Sequence, residues 1–344
     1  MVQLNMGKQH NLKILSFISA YSSDTWKRLV RPFKLPTVNS PIIRKLVPGR
    51  LLRALECIKQ ALALFFASRH YDLAVVPGSG SGLILGILQS LLRRKSRAVP
   101  IIYIDCLYYD YKNPLRRLWK KTQLKLAAGD KTRFVCWSRR ETTNYSRCFG
   151  LPEKSFVYLP YYNTLETEEK YAVEGDFIFS GGNSDRDYKT LIRAVEDIDV
   201  KVVIATQTTD WITPRIASIT NVEIRPMPYE EYTKCMKECL VNVIVLQKDL
   251  LRSAGQQTFI NSMYLGKPTV ICDNGECLDY IEDGENAFFV PSGDFGLLAK
   301  CLASLIENQD LRQKISRQSA LTASAYTYEN TIAQILELGE KLTS

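Results

Sequence analysis

The stretch Arg252–Ile271, RSAGQQTFINSMYLGKPTVI, reads as a small amide-rich turn, a short helix and a buried strand. Phe259, Ile260, Met263 and Tyr264 recur at helical spacing, and Gly266 and Pro268 then end the pattern in the usual C-terminal order. Ser253 and Gln256 have the spacing of a capping box, which alone would account for a helix start. Gly255 points further: a residue without a side chain at a helix start lets a ligand approach backbone N–H groups that carry partial positive charge. The stretch holds no Asp or Glu, so it expects an anion held by amides, hydroxyls and Arg252.

Working outward, the chain alternates short apolar runs with helical patterns. The runs are Lys13–Ser19, Leu73–Pro77, Ile101–Asp105, Phe134–Trp137, Phe156–Leu159, Phe177–Ser180, Lys201–Ala205, Asn242–Leu246, Thr269–Cys272 and Ala287–Val290. Continuous apolar strands fit parallel sheets covered on both faces, and strand–helix alternation fits doubly wound sheets. Ten strands predict two sheets rather than one. In such sheets ligands sit beyond the carboxyl ends of strands, so the expected site is a cleft between two facing domains. The acidic, strandless stretch Tyr161–Glu174 is the expected linker.

Charge divides the chain at the same place. Residues 1–163 hold 28 Lys and Arg against 8 Asp and Glu; the remainder holds 17 against 28. The basic half predicts contact with an anionic surface. KNPLRRLWKKTQLKLAAGDKTR (112–133) and TWKRLVRPFKL (25–35) place Leu and Trp among Lys and Arg, as an interfacial helix does. No nucleic-acid motif accompanies the charge. No signal peptide and no run of spanning length is legible, which predicts a cytoplasmic protein bound peripherally to the membrane. Nine Cys without a C-x-x-C pair, and only His10 and His70, predict neither a disulfide framework nor a zinc site. His70 stands at the amino end of its strand and reads as structural.

Two further glycine turns follow strands. FIFSGGNSDRDYKTLIRAV (177–195) sets Gly181 and Gly182 before a helix, with Arg186 offering a planar donor fork. Arg186 between Asp185 and Asp187 argues against reading that triplet as a metal site. VVPGSGSGLILGILQ (75–89) lacks the Lys of a P-loop.

SGGNSDRDYKTLIRA, SAGQQTFINSMYLGKPTVI and CLDYIEDGENAFFVPSGDFGLLAKCL, in that order, resemble the donor-binding domain of GT-B glycosyltransferases, closest to glycosyltransferase family 4. The resemblance covers roughly residues 176–325. It implies two Rossmann-like domains facing across a cleft: an acceptor and membrane-facing domain over 1–163, a donor-binding domain over 164–325, and a final helix over 326–344 that crosses back to the first. It implies a nucleotide-sugar donor, no metal, and transfer to a lipid-linked or glycan acceptor in cell-envelope or polysaccharide synthesis. Arg186 stands where the family sets a basic side chain on the pyrophosphate. Gly181, Gly182, Gly255, Gln256, Gln257 and Thr258 lie in the turns that approach phosphates and sugar, and Met227 falls near the nucleobase.

This sequence departs from the family at its paired glutamates, which fall on Ser253 and Asn261. Asn261 can still accept from ribose hydroxyls, whereas Ser253 cannot supply a charge. A further basic residue of the family falls on Gly181, with Arg252 as the candidate substitute. The family implies retaining transfer, needing no protein base; inversion would need Asp105 or Asp110. Two other readings fit less of the sequence: a catalytically silent GT-B partner of another transferase, suggested by Ser253, and a same-fold epimerase, which lacks its carboxylates and His here.

Overall fold

The computed structural model describes residues 12–16, 49–92, 98–165 and 175–344. Residues 25–35, His10 and most of the expected linker, 166–174, lie outside that set. The chain forms two compact units, one running up to Leu159 and adding Glu329–Ser344, the other Pro160–Tyr328.

The first unit carries a parallel sheet in sequence order: β1 (Ile14–Ser16), β2 (Leu73–Pro77), β3 (Ile101–Ile104), β4 (Thr132–Cys136) and β5 (Phe156–Tyr158). All four β3 side chains are buried, as its unbroken apolar sequence requires. The helices α1 (Gly49–Ser68), α2 (Gly80–Leu92), α3 (Pro114–Ala127) and α4 (Arg139–Phe149) pack side by side in that order. Right-handed crossovers between consecutive neighbouring strands set such helices in one layer. Asn113 caps α3 by accepting from the Leu115 and Arg116 N–H groups, and Pro114 follows at its first position. The C-terminal helix α11 (Tyr328–Thr343) brings Gly339 against Leu73 of β2.

An aromatic and carboxylate cluster fixes the carboxyl end of this sheet. Buried Glu141 accepts from Trp137 N and the Tyr145 hydroxyl at 2.7 and 2.8 Å. The same Tyr145 oxygen lies 2.7 Å from Cys106 O, and Tyr108 donates to Gly78 O at 2.7 Å, tying the β3 loop to the glycine turn after β2.

The second unit holds six parallel strands in the order β11-β10-β9-β6-β7-β8 among the described residues. They are β6 (Phe177–Gly181), β7 (Lys201–Ala205), β8 (Val222–Arg225), β9 (Val241–Val245), β10 (Thr269–Asp273) and β11 (Phe288–Pro291). The helices are α5 (Tyr188–Val195), α6 (Pro214–Ala217), α7 (Tyr229–Glu238), α8 (Gln256–Tyr264), α9 (Phe295–Glu307) and α10 (Gln309–Ala323). Leu191, Val195, Val243, Val245, Val270, Leu298 and Leu302 form one buried cluster that joins α5 and α9 to the sheet.

Two sequence expectations need correction. The described residues hold eleven strands, not ten. The missed one, β8, is an edge strand with every residue half-buried, so its sequence VEIR alternates instead of forming an apolar run. The helix α8 begins two residues later than a Ser253 cap would set it: Gly255 is its N-cap and no side chain caps it.

Candidate functional site

The strand order of the second unit reverses between β6 and β9. At such a switch point the two adjacent strands send their connections to opposite faces, leaving a crevice at their carboxyl ends. The β6–α5 loop and the turn before α8 both lie there. An isolated bridge pairs Arg186 with Leu246, and the Asp187 amide donates to Val245 O at 3.1 Å.

Gly255 takes φ +83°, a left-handed conformation that other L-residues reach only with strain. A side chain there would also crowd Ile244. The helix start is thus shaped by a glycine and left open to its own N–H groups. Gln256, 5% exposed, follows; its Nε2 has no hydrogen-bond partner among the described residues. Buried donors of this kind are normally satisfied, so an unmatched one beside a helix N-terminus fits a site built for an acceptor.

Arg186 leans over the same turn. Its guanidinium donates to Gly181 O, Ser184 O and the Thr258 hydroxyl at 3.1, 3.3 and 3.2 Å. Gly182 lies so close that a Cβ on it would touch the guanidinium, so the glycine pair and Arg186 form one surface. Below it a cavity of about 390 Å³ is lined by Leu165, Met227, Tyr232, Gln257, Thr258 and Asn261 among others. A second, more polar hollow of about 340 Å³ touches Arg186 with Asn183, Asp187, Trp211 and Gln247.

The fold therefore brings Gly181, Gly182, Arg186, Met227, Gly255, Gln256, Gln257, Thr258 and Asn261 together at the switch point of one unit. Two neighbours are committed elsewhere. Arg252, 7% exposed, is paired with Asp185, which itself takes φ +55°, and also donates to the Ser253 carbonyl. Ser253 is buried as well. Asn261 uses both ends of its amide on Thr164: its Oδ1 accepts from Thr164 N at 2.8 Å and its Nδ2 donates to Thr164 Oγ1 at 2.9 Å. Gln257 Nε2 donates to the same hydroxyl at 3.2 Å. An amide has two donors and two lone pairs, so Asn261 keeps half its capacity.

Tyr232, Thr164 and the Asp185 partner of Arg252 were not singled out in the sequence. Each meets its partner across at least 50 residues of chain, and no local pattern marks such pairs.

Asp105 belongs to the first unit, directly after β3, at φ +51°. Burial holds its carboxyl above the ordinary value of 3.8. Lys120, over the Tyr108 ring at 5.1 Å, is shifted down by burial.

The two parallel-sheet Rossmann-like α/β units are those of the GT-B fold. Residues 227–321 match the family model Glycosyl transferases group 1. Among solved structures, the chain is similar to Anabaena Alr3699/HepE in complex with UDP and glucose, at 15% identity and TM-score 0.62, covering 93% of this chain and 88% of that one. It is similar to the sucrose-phosphate synthase of Thermosynechococcus elongatus at 14% identity and TM-score 0.66, covering 90% and 83%. A point mutant of S. aureus TarM, solved with fondaparinux, alpha-GlcNAc-glycerol and UDP, aligns at 14% identity and TM-score 0.62; the match spans 83% of this chain and 59% of that one. At these identities the likeness is one of fold. No curated protein matches the chain significantly in sequence.

Proposed function

We propose that this chain is a glycosyltransferase of the family 4 type that moves a sugar from a nucleoside-diphosphate donor to a lipid-linked or glycan acceptor. The observation that carries this reading is the pairing, at the β6/β9 switch point, of an uncapped helix N-terminus at Gly255 with the Arg186 guanidinium. Both supply positive potential to one spot beside a cavity of nucleoside size. Negative charge grows on the departing nucleotide during sugar transfer, so donors fixed there lower the barrier most where the charge is largest. The Gly181–Gly182 and Gly255 turns admit phosphate oxygens to backbone N–H groups, and the cavity by Met227 takes the base. Retention of anomeric configuration fits a turn that carries Ser253 and Asn261 where the family sets its paired glutamates, the leaving phosphate then taking the acceptor proton. The donor is held without a metal in this reading, by amides and guanidinium.

The acceptor side of the proposal rests on the first unit. Leu115, Leu118 and Trp119 stand exposed on α3 among Arg116, Arg117, Lys121 and Lys125. On α1, Leu51, Leu55, Ile58, Leu62 and Phe66 form an exposed stripe at helical spacing. Apolar side chains ringed by cations suit an anionic headgroup region, and an acceptor in cell-envelope or polysaccharide synthesis would be met there. No helix among the described residues is long and apolar enough to cross a membrane.

A second reading, a silent partner of another transferase, draws on Ser253 and on the engagement of Arg252 by Asp185. One experiment separates them. Thermal unfolding with UDP, GDP or ADP should show stabilisation that grows with ligand excess for one nucleotide and is lost in Arg186→Ala. Product formed from the matching nucleotide-sugar, with its anomer read by NMR, then establishes transfer. Stabilisation without any product favours the silent partner, and no stabilisation by any nucleotide removes the transferase reading.

A further inference from the structure

The side chain that fills the space above Gly181 is Tyr232, from the first turn of α7. A Cβ built on Gly181 would lie 2.2 Å from the Tyr232 ring and 2.7 Å from its hydroxyl oxygen. Gly181 is therefore a glycine because the phenol occupies the place of its side chain. Phe179 of β6, two residues earlier on the same strand, holds the ring edge-on at 5.2 Å. The ring is thus clamped between the strand and its terminal glycine, and only its hydroxyl end is left to choose partners.

Those partners are the donor-site groups. Tyr232 lines the 390 Å³ cavity together with Thr258, Gln257 and Asn261. Arg186 donates to Gly181 O and to the Thr258 hydroxyl, so the guanidinium and the phenol converge on one residue of β6. A tyrosine whose task was packing alone would serve as well without its oxygen, which here is set among a cation and a hydroxyl at the mouth of a cavity.

We propose that the Tyr232 hydroxyl is a hydrogen-bond donor to the diphosphate of the bound nucleotide, acting beside Arg186 where Gly181 offers no side chain. Burial raises the pKa of this phenol above the ordinary tyrosine value, with the Arg186 charge and then the Thr258 hydroxyl pulling the other way, so it keeps its proton at neutral pH and remains a donor. A phenol on a clamped ring adds a directed O–H without adding charge. Repulsion between Arg186 and a second cation is thereby avoided. The inference rests on the transferase reading above, because it presumes a diphosphate in the site.

The test compares wild type with Tyr232→Phe, which keeps the ring on Phe179 and Gly181 and removes only the oxygen. Affinity is measured by titration for the nucleoside diphosphate that stabilises wild type, and for the matching nucleoside by ligand-observed NMR. A hydrogen bond to a charged phosphate predicts a loss of roughly 10–100-fold for the diphosphate. The nucleoside should bind both proteins alike, and the melting temperature should be unchanged. Equal diphosphate affinity in the two proteins overturns the assignment. A parallel loss for nucleoside and diphosphate also overturns it, since that assigns the oxygen to the base or to the shape of the cavity. If wild type binds no nucleoside diphosphate, the transferase reading fails first and this inference with it, a result unlike either of the others. Gly181→Arg combined with Tyr232→Ala provides an independent check: it moves the donor onto β6 and should recover diphosphate affinity relative to Tyr232→Ala alone, and a failure to do so counts against a phosphate at this spot.

Discussion

Asp185→Asn isolates the role of the ion pair beneath the glycine turn. Asp185 sits in the left-handed region, which Asn tolerates as well as Asp, so the exchange removes charge and leaves the backbone in place. Its carboxylate faces Arg252, and the two side chains are 19% and 8% exposed. Unit charges in contact attract by about 4 kcal/mol at an effective dielectric near 20, and stranding one member of a buried pair costs about 3–5 kcal/mol. The Asp185 side chain retains some solvent, which screens the pair and brings the expected loss to about 2–3 kcal/mol. Hydrogen exchange of the β6 and β9 amides reports this loss in the unit concerned. Asp185→Asn with Arg252→Met, which removes both charges, should return to within about 1 kcal/mol of wild type. A cost below about 0.5 kcal/mol for the single change would refute the reasoning. Arg252 would then be held by other contacts and free to turn its guanidinium on a ligand, as its place in the sequence suggested.

Four other outcomes are expected. Gly255→Ala forces a Cβ into a left-handed residue 3.1 Å from Ile244 and should cost about 1–2 kcal/mol in urea unfolding, with a matching drop in nucleotide affinity. Thr164→Val leaves the buried Asn261 Nδ2 and the Gln257 amide without their acceptor and should cost about 1–2 kcal/mol by the same assay. Asp105→Asn should melt higher than wild type at neutral pH: burial raises the folded-state value above the unfolded one, so the wild-type carboxylate opposes folding once pH rises through the folded value. The advantage should shrink as pH falls through that value and vanish below the ordinary Asp range; an advantage that grows on acidification would reverse the sign of the argument. In the first unit, Leu118→Glu with Trp119→Glu should abolish co-sedimentation with anionic vesicles. Binding by wild type should weaken as salt rises, and wild type that never sediments would end the membrane proposal.

The strands were legible because central parallel strands are buried on both faces and write themselves as apolar runs; β3, β9 and β10 are fully buried. The edge strand β8 escaped for the same reason in reverse, since half-buried residues admit Glu223 and Arg225. The glycine turns and Arg186 were legible because backbone freedom and a guanidinium are properties of single residues. Tyr232 was not: YEEYTKCMKE reads as a charged surface helix, and only the fold reveals that one of its rings stands in for a side chain on Gly181. Thr164 looked like linker, and its grip on Asn261 spans 97 positions of sequence.

The chain enters and leaves the second unit at one place. Asn163 donates to the carbonyl of Tyr326 from both its backbone and its side chain, and the Tyr162 ring meets that of Tyr328 at 4.9 Å. In topological terms the second unit is a cassette spliced into a host whose own sequence resumes at Glu329. Its two ends are already fastened together, so it can be lifted out whole, and the host can be closed across the cut from Leu159 to Glu329 by a short bridge. Grafting the cassette into the host of another protein of the same fold would then need two junctions that lie side by side, and the ligand preference of the β6/β9 switch point should travel with the insert.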